Sequence, residues 1–345
     1  MAKITTIVLG GFLFSLLSTC YSVTAVGKLF GSSSAGASTE ATTTEKAAVS
    51  SHAKAPAPKA FSDELVNNSR ALMALGGVGA IAANSAGSSM TTPFLALSML
   101  AATVHNFAFG ARQPKKFTKI IHPLVSCTTL SWVWATLLGA ATGGSLTSML
   151  QGYRVGGGLS LAASGAGDYL TFVLGPAVVS LGVSIYERRV LIAQNLKEVM
   201  TATFMSCVGG LFGTAFAVRL IGLASADLRL SMLPRNITSA LAVAIAEIVG
   251  ANKSLAVAIA VVTGLIGANF GATLLDVFGI KDPVTRGLGI GSAAHGLGTA
   301  AFVDEKDAFP FAAISMALTA ICGTILVSIP SVKALAIRIA LGGLA

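Results

Sequence analysis

The sequence has few charged residues, and acidic residues are the scarcer kind. Of its 345 residues 11% are charged, with 14 Asp and Glu against 23 Lys and Arg. A typical soluble domain carries about 25% charged residues. This scarcity, together with 54% hydrophobic residues and a mean hydropathy of +0.79, predicts an integral membrane protein. The net charge of +9 does not indicate nucleic-acid binding, because the basic residues are scattered in short loops between apolar stretches, where they act as topology signals.

Cysteines and aromatic residues are scarce as well. The spacing of the four cysteines matches neither a disulfide framework nor a metal site. Aromatic residues make up 7% of the chain, and the alternating apolar pattern of a membrane β-barrel is absent. An HExxH pattern, a pair of aspartates inside an apolar stretch and an ATP-binding motif are also absent from the sequence. We therefore predict no enzymatic activity, no catalytic residues, no metal and no cofactor.

Apolar stretches fill the chain from residue 61 onward. The 38 glycines suit closely packed helices. We predict an all-α integral membrane protein with about eight to nine membrane segments, some of them broken or re-entrant. Basic loops are expected at 112–119 and 188–197, on the same side of the membrane, and a glycine-rich loop at 143–167. The predicted stretches are 71–86, 92–110, 120–140, 168–186 (interrupted at Gly175-Pro176), 199–223, 234–249, 255–278, 286–302 and 308–329, which form a loose two-fold internal repeat.

The first 60 residues differ from the rest of the chain. Residues 1–26 resemble a signal-peptide core, and their apolar run, 7–17, is too short to span a bilayer comfortably. Residues 27–60 are rich in Ser, Thr and Ala, which suits a transit peptide or a linker. In tandem they predict a removable presequence for a plastid with extra membranes, and an N-terminal membrane anchor with a flexible linker is the alternative. Residues 61–345 are the predicted transmembrane domain.

The stretch 286–302, RGLGIGSAAHGLGTAAF, is unusual for a membrane helix. Each of its five glycines weakens a helix by ~1 kcal/mol relative to alanine. Broken helices are tolerated at membrane depth where they face protein or a watery cavity, and in transporters their ends hold the substrate. Close packing of small residues, and a histidine satisfied in the core, are the alternatives. The candidate substrate-binding residues here are Gly291, Ser292, His295, Gly296, Gly298 and Thr299.

Several long motifs carry a family resemblance. They are LPRNITSALA, VVTGLIGANF, KDPVTRGLGIGSAAHGLGTAAF, GAGDYLTFVLGPAVVSLGVSIYERR and IIHPLVSC. The chain resembles the LrgB/CidB family over roughly residues 65–335, and within it the LrgB-like half of the glycolate/glycerate translocators of plant plastids. Those translocators carry an LrgA-like half in front, for which residues 1–60 have no room. The resemblance leaves two arrangements open, an LrgB unit that acts alone or one joined by a separate LrgA-like subunit.

The resemblance implies a small 2-hydroxy carboxylate as the substrate. A site for it needs positive potential for the carboxylate and polar groups for the hydroxyl. We expect Pro234 at the first helical position, with Arg235, Asn236 and Thr238 at the helix N-terminus, which attracts anions. Arg235 suits a two-pronged contact with a carboxylate, and snorkelling to the headgroups is its alternative role. Asn269 is a further candidate for the hydroxyl, with helix packing as the alternative.

The function that the resemblance implies is secondary transport of glycolate and glycerate, by exchange or with a proton, across a plastid inner envelope. His295 is the core group whose charge changes near neutral pH. The alternatives are a holin-like regulatory membrane protein, or a transporter of pyruvate or lactate in another membrane. The expected partners are the small carboxylate and membrane lipid, with an LrgA-like subunit and a homo-oligomer left open, and no nucleic acid.

Overall fold

The computed structural model describes residues 2–30, 61–114, 117–118, 121–156 and 158–342, and this part of the chain forms helices joined by turns, with no strand. Most of the predicted 27–60 segment lies outside the described residues, as do Lys115, Lys116 and Lys119 of the predicted basic loop. The helices are α1 (Ala2–Phe30), α2 (Asp63–Ser85), α3 (Thr91–Ala111), α4 (Pro123–Ala141), α5 (Leu146–Tyr153), α6 (Ala166–Glu187), α7 (Arg189–Gln194), α8 (Leu196–Phe204), α9 (Gly210–Leu220), α10 (Ala226–Ser231), α11 (Ser239–Val249), α12 (Lys253–Val277), α13 (Pro283–Ala301), α14 (Phe309–Ser328) and α15 (Pro330–Leu341).

Seven helical stretches of the described chain are long and apolar enough to cross a membrane. Six of them are α1, α3, α4, α6, α12 and α14, and the seventh is Leu196–Leu220, in which the π-helical turn Met205–Gly209 joins α8 to α9. The shorter α11 is also apolar. The prediction of an all-α membrane protein is confirmed.

The described residues fall into two compact units, one of residues 61–177 and one of residues 2–30 with 178–342. In the first, α3 packs against α2 and α4 around Ala80, Met99, Ala135 and Leu138. The second contains every predicted substrate-binding residue. There α13 packs against α14, α12 and α1, so the unusual 286–302 stretch lies in the interior of its unit.

Two expectations about helix boundaries in the first half of the chain are wrong. α6 continues through Gly175 and Pro176, because a proline removes only one of the backbone hydrogen bonds that hold a long helix. The predicted two-fold internal repeat required a break at this position, and the continuous α6 does not support it. The predicted loop at 143–167 contains α5, which begins with a capping box between Ser145 and Ser148.

The helix predicted to begin at Pro234 begins five residues later. Residues 232–238 form turns, in which the Arg235 N–H donates to the Met232 carbonyl and the Ile237 N–H to the Pro234 carbonyl. α11 begins at Ser239 with Thr238 as its N-cap. Arg235 and Asn236 therefore precede the helix rather than form its first turn.

The N-terminal segment is a single helix of 29 residues, α1. The apolar run 7–17, which is too short to span a bilayer, is only part of this helix. The helix continues beyond the run at both ends and is long and apolar enough to cross a membrane, as the alternative of an N-terminal anchor requires. It packs against α13, α8 and α9 of its own unit. The removal of residues 1–26 as a presequence stays a prediction.

Candidate functional site

Arg235 lies in the turns between α10 and α11 and is buried, with 1% of its surface exposed. Two helices hold its guanidinium. Nε donates to Thr214 Oγ1 of α9 at 2.9 Å, while Nη2 donates to the Gly11 carbonyl and to Ser15 Oγ of α1 at 2.6 and 2.8 Å. The side chain thus points into the protein interior, and the snorkelling alternative does not apply to it.

The positive charge of Arg235 has no negative partner in the part of the chain that the structure describes. No carboxylate forms an ion pair with it there, and its Nη1 is buried without a hydrogen-bond partner. A guanidinium stays protonated in proteins, and an unpaired buried charge costs on the order of several kcal/mol. An anion at Nη1 would offset that cost, since hydrogen bonds between an arginine and a carboxylate are among the strong ones.

Asn236 belongs to a buried polar cluster that joins three parts of the chain. Its Nδ2 donates to Ser206 Oγ at 3.1 Å and to the Ser292 carbonyl at 3.2 Å. Ser206 Oγ in turn donates to the same Ser292 carbonyl at 3.0 Å. Ser206 lies in the π-helical turn Met205–Gly209, and such turns are frequent at functional sites. The cluster therefore fixes the 232–238 turns against α13.

Thr238 places a second unpaired polar group near Arg235 in the sequence. As the N-cap of α11 it makes no side-chain cap hydrogen bond, and its Oγ1 is buried without a partner among the described residues. A helix N-terminus with an unused cap presents N–H groups and a positive dipole end. The short segment 235–238 thus combines a cation, an uncapped helix start and an unpaired hydroxyl.

The break in α13 falls at His295. This residue has φ 43° and ψ −143°, and it is the one non-glycine residue with positive φ in the described ranges. Such backbone is strained for a residue with a side chain and clusters at functional sites. The ring Nε2 donates to the Ala260 carbonyl of α12 at 2.8 Å, since a carbonyl only accepts. The close approach of the ring requires Gly264, where a Cβ would lie 2.5 Å from His295 Cε1.

The glycines of this stretch differ in their surroundings, and their predicted contact with a substrate stays a prediction. A Cβ at Gly291 would collide with the Ala312 carbonyl of α14, one at Gly298 would lie 2.5 Å from Ala294 Cβ, and one at Gly296 would meet only Met316 Sδ at 3.5 Å. Gly291 and Gly298 therefore allow close packing within the unit, which was the alternative explanation.

Two further predicted substrate-binding residues form hydrogen bonds that do not involve Arg235. Asn269 Nδ2 donates to the Leu265 carbonyl of its own helix at 3.0 Å, and Thr299 Oγ1 donates to the Ala312 carbonyl of α14 at 3.3 Å. Of the predicted set, the structure joins Asn236 and Ser292 by a direct hydrogen bond. Among the described residues, neither Asn269 nor Thr299 forms a hydrogen bond with that cluster.

A small cavity lies beside the cluster. It is lined by Ser206, Cys207, Pro234 and Asn236 together with apolar side chains, and its volume is about 10 Å³. A cavity of this size holds about one water molecule. The polar groups around Asn236 therefore surround a space too small for anything larger than a water molecule in this conformation.

Four residues of the arrangement escaped the sequence analysis. Ser206 and Thr214 are single polar residues of the Leu196–Leu220 span, and Gly11 and Ser15 belong to a segment that resembled a leader. A polar residue within an apolar stretch was the signal available for Ser206 and Thr214. Their partners, Asn236 and Arg235, become neighbours only through the tertiary fold.

These helices, spans and buried polar groups define a helical membrane protein with a buried arginine whose charge has no acidic partner in the described part of the chain. The sequence model of the LrgB-like family matches residues 103–332, more than half of the chain. The chain therefore belongs to the LrgB-like family, as its motifs predicted.

Individual relatives differ in how much of each chain is matched. Plastidal glycolate/glycerate translocator 1, chloroplastic, of Arabidopsis thaliana is 38% identical over 338 residues, which cover 96% of this chain and 61% of the plant protein. Holin-like protein CidB of Staphylococcus epidermidis is 30% identical over 167 residues, covering 47% of this chain and 71% of CidB. The protein YxaC of Bacillus subtilis is 30% identical over 176 residues, covering 50% of this chain and 71% of YxaC. No solved structure matches.

Proposed function

We propose that this protein is a secondary transporter of small 2-hydroxy monocarboxylates, glycolate and glycerate, across the inner envelope of a plastid. The observation that carries the proposal is the buried guanidinium of Arg235, whose Nη1 has no partner among the described residues. A fold that keeps an unmatched cation in its interior is stabilised by an anion that binds there. A carboxylate is the anion that suits an arginine.

The polar groups that follow Arg235 in the chain suit the hydroxyl of the substrate. A 2-hydroxy acid carries a hydroxyl one carbon away from its carboxylate. The unpaired Thr238 Oγ1 is available to that hydroxyl, and the N-terminus of α11 adds positive potential for the carboxylate. Asn236 and Ser292 hold the turn and α13 together at this place, so we assign them to the wall of the site.

α13 forms a second wall in this proposal. His295, Gly296 and Gly298 surround the break of the helix, and the His295 imidazole is the ionisable group at this break. We propose that substrate movement is coupled either to a proton at His295 or to exchange of one acid for the other. Asn269 and Thr299 stay in the predicted set, although their hydrogen bonds to backbone carbonyls favour a packing role.

The proposal includes a conformational change. The cavity beside Asn236 has a volume of about 10 Å³, enough for one water and too small for a carboxylate. In secondary transporters one helical bundle moves against another around a central site. We therefore take this conformation to be a closed one, which has to open toward one side for the substrate to bind.

The relatives support the substrate class and the compartment. The plant relative is named for glycolate and glycerate and for the chloroplast. This chain spans 61% of that protein, so activity without a further LrgA-like subunit is part of what has to be tested. The match to the holin-like CidB proteins favours a second candidate, a regulatory membrane protein without a dedicated substrate.

Uptake into proteoliposomes tests the proposal. The purified chain is reconstituted alone, and entry of radiolabelled glycolate is followed into vesicles preloaded with unlabelled glycerate. We expect saturable uptake that excess glycerate reduces more than equal concentrations of pyruvate or lactate. Stronger competition by pyruvate or lactate would reassign the substrate. Uptake no faster than in protein-free vesicles, with and without a coexpressed LrgA-like subunit, would favour the holin-like alternative.

A further inference from the structure

α1 is a central element of its unit. A Cβ at Gly267 of α12 would collide with Ala294 Cβ of α13 and would also lie 3.2 Å from Phe12 Cε2 of α1, and one at Gly289 of α13 would collide with Cys20 Sγ. Phe12, Leu16 and Cys20 belong to the same buried cluster as Ile290 and Ala294 of α13. These glycines leave the space that α1 fills, so the packing of α12 and α13 is built around this helix.

One face of α1 is polar and points toward Arg235. The Gly11 carbonyl and Ser15 Oγ accept hydrogen bonds from Arg235 Nη2. Residues four apart lie on the same face of a helix, about one turn from each other, so Thr19 continues the line of Gly11 and Ser15. Thr19 is fully buried, and its Oγ1 has no hydrogen-bond partner within the described part of the chain.

We infer that α1 is a permanent wall of the substrate site, in which Ser15 positions the guanidinium of Arg235 and Thr19 contacts the bound hydroxy acid. By accepting from Nη2, Ser15 and Gly11 fix the plane of the guanidinium so that Nη1 stays available to the carboxylate. Thr19 Oγ1 lies one turn farther along the same face, where it serves the hydroxyl or the second carboxylate oxygen. This inference rests on the proposed transport function for its substrate.

The inference opposes the removal of residues 1–26. Without α1, Arg235 would lose two of its three hydrogen-bond acceptors, and the clefts above Gly267 and Gly289 would open. The match to the plant relative covers 96% of this chain, which leaves too few unmatched residues to place the whole of α1 outside it. We therefore expect that the chain is not cleaved between α1 and the rest of the protein, or that α1 stays bound after such a cleavage.

The first test is the mass of the mature protein. The protein is purified from its native membrane, and its intact mass and N-terminal peptides are measured. We expect residues 2–30 to be present in the purified protein, as part of the chain or as a co-purifying peptide. Their absence from a protein that still binds or transports its substrate would overturn the inference. This readout does not depend on which substrate the protein carries.

The second test compares matched substitutions on α1. Thr19→Val removes a hydroxyl while keeping the shape of the side chain, and Thr24→Val is its control, since Thr24 Oγ1 bonds only to the Cys20 carbonyl of its own helix. Ser15→Ala has the control Ser18→Ala, because Ser18 Oγ bonds to the Ser15 carbonyl of α1. Loss of a hydrogen bond to a charged group corresponds to about a tenfold change in binding.

We expect Thr19→Val and Ser15→Ala to raise the KM for glycolate about tenfold at nearly unchanged maximal rate, and both controls to keep the wild-type KM. Thr214→Val should resemble Ser15→Ala, because Thr214 holds the other edge of the same guanidinium. Equal KM values for Thr19→Val and Thr24→Val would overturn the role of Thr19. If Ser15→Ala does not accumulate, the isosteric Thr19→Val still decides the outcome. A wild-type protein that does not transport glycolate would refute the proposed function and leave the mass measurement as the test of α1.

Discussion

Two buried arginines in the same unit, Arg286 and Arg235, have opposite surroundings. Arg286 is 8% exposed, and its Nε and Nη2 donate to the two carboxylate oxygens of Glu305 at 2.9 and 2.8 Å. Its Nη1 donates to Asp276 Oδ1 at 2.7 Å and to the Ile280 carbonyl at 2.9 Å. Arg235 has two hydroxyls and one carbonyl as acceptors, and one nitrogen has no partner.

The difference separates a structural arginine from a binding one. Arg286 links the first turn of α13 to the end of α12 and to the segment after α13, with its charge matched twice. A third buried arginine, Arg229, is held by the carbonyls of Leu223, Ala340 and Leu341, at the negative end of α15. Among the described residues, Arg235 has neither a carboxylate nor a helix C-terminus as its partner, so its charge is available to a ligand.

The largest expected effect is on Arg286. Arg286→Met leaves Glu305 and Asp276 without their cation. We expect a loss of about 2 kcal/mol in the free energy of unfolding, because hydrogen bonds between charged groups are removed while the partly exposed carboxylates regain water. Folded yield from size-exclusion chromatography and the midpoint of thermal unfolding in detergent measure it. Lys281→Met, at an exposed position of the same region, is the control and should unfold like the wild type. Unchanged stability of Arg286→Met would refute the structural role.

Replacing Arg235 by methionine should have the opposite effects, with stability retained and transport lost. Arg235→Met removes an unmatched buried cation, and we expect a free energy of unfolding within about 1 kcal/mol of the wild type or above it. Glycolate uptake should fall to the level of protein-free vesicles, because the carboxylate loses its cation. A strongly destabilised Arg235→Met protein would show that Arg235, like Arg286, has a structural role.

A conservative change at Arg235 should have an intermediate effect. Arg235→Lys keeps the charge and loses the planar fork that bonds Thr214, Ser15 and the ligand at once. We expect uptake at limiting glycolate to fall about tenfold, since one charge-assisted hydrogen bond is lost. Initial rates over a range of glycolate concentrations measure the change, and rates equal to those of the wild type would show that the fork is not used.

The smallest effects concern the acidic partners of Arg286. The side chain of Asp276 is 68% exposed and that of Glu305 is 35% exposed, and solvent weakens exposed ion pairs to about 1 kcal/mol or less. Asp276→Asn should therefore lower the unfolding midpoint only slightly. Glu305→Gln should lower it more, because the two-pronged contact is lost. The reverse order would contradict the assignment of Glu305 as the main partner.

Much of this fold follows from the sequence. Long apolar stretches predicted six of the seven candidate membrane spans of the described chain to within a few residues, because hydropathy and helix length are local properties, and α1 was the exception. Arg235 and Asn236 were selected because they were expected at a helix N-terminus, which attracts anions. Ser292 was selected because it lies in the glycine-rich stretch that was expected to be broken, as in transporters whose broken helices hold the substrate. The start of α11 was placed five residues early, since Pro234 is as suitable for a turn as for a first helical position.

The remaining features depend on tertiary contacts. A segment with the composition of a leader forms α1 and meets Arg235, which is distant in the sequence, and no local pattern predicts that contact. The break of α13 was expected within 291–298 because of the glycines there, and the structure has it inside that range, at His295. The sequence did not single out His295 as the residue of the break, because its ring is held by the Ala260 carbonyl of another helix.

Ligand-induced stabilisation tests the central claim, that Arg235 is a charge kept for a carboxylate substrate, most directly. The unfolding midpoint of the purified wild type and of Arg235→Met is measured with and without glycolate, using acetamide as an uncharged comparison. At a glycolate concentration about 100 times its Kd, the wild type should gain about 2.7 kcal/mol. Arg235→Met should gain nothing, from a starting stability equal to or above that of the wild type. An equal gain in both proteins would show that the carboxylate binds elsewhere and would contradict the account.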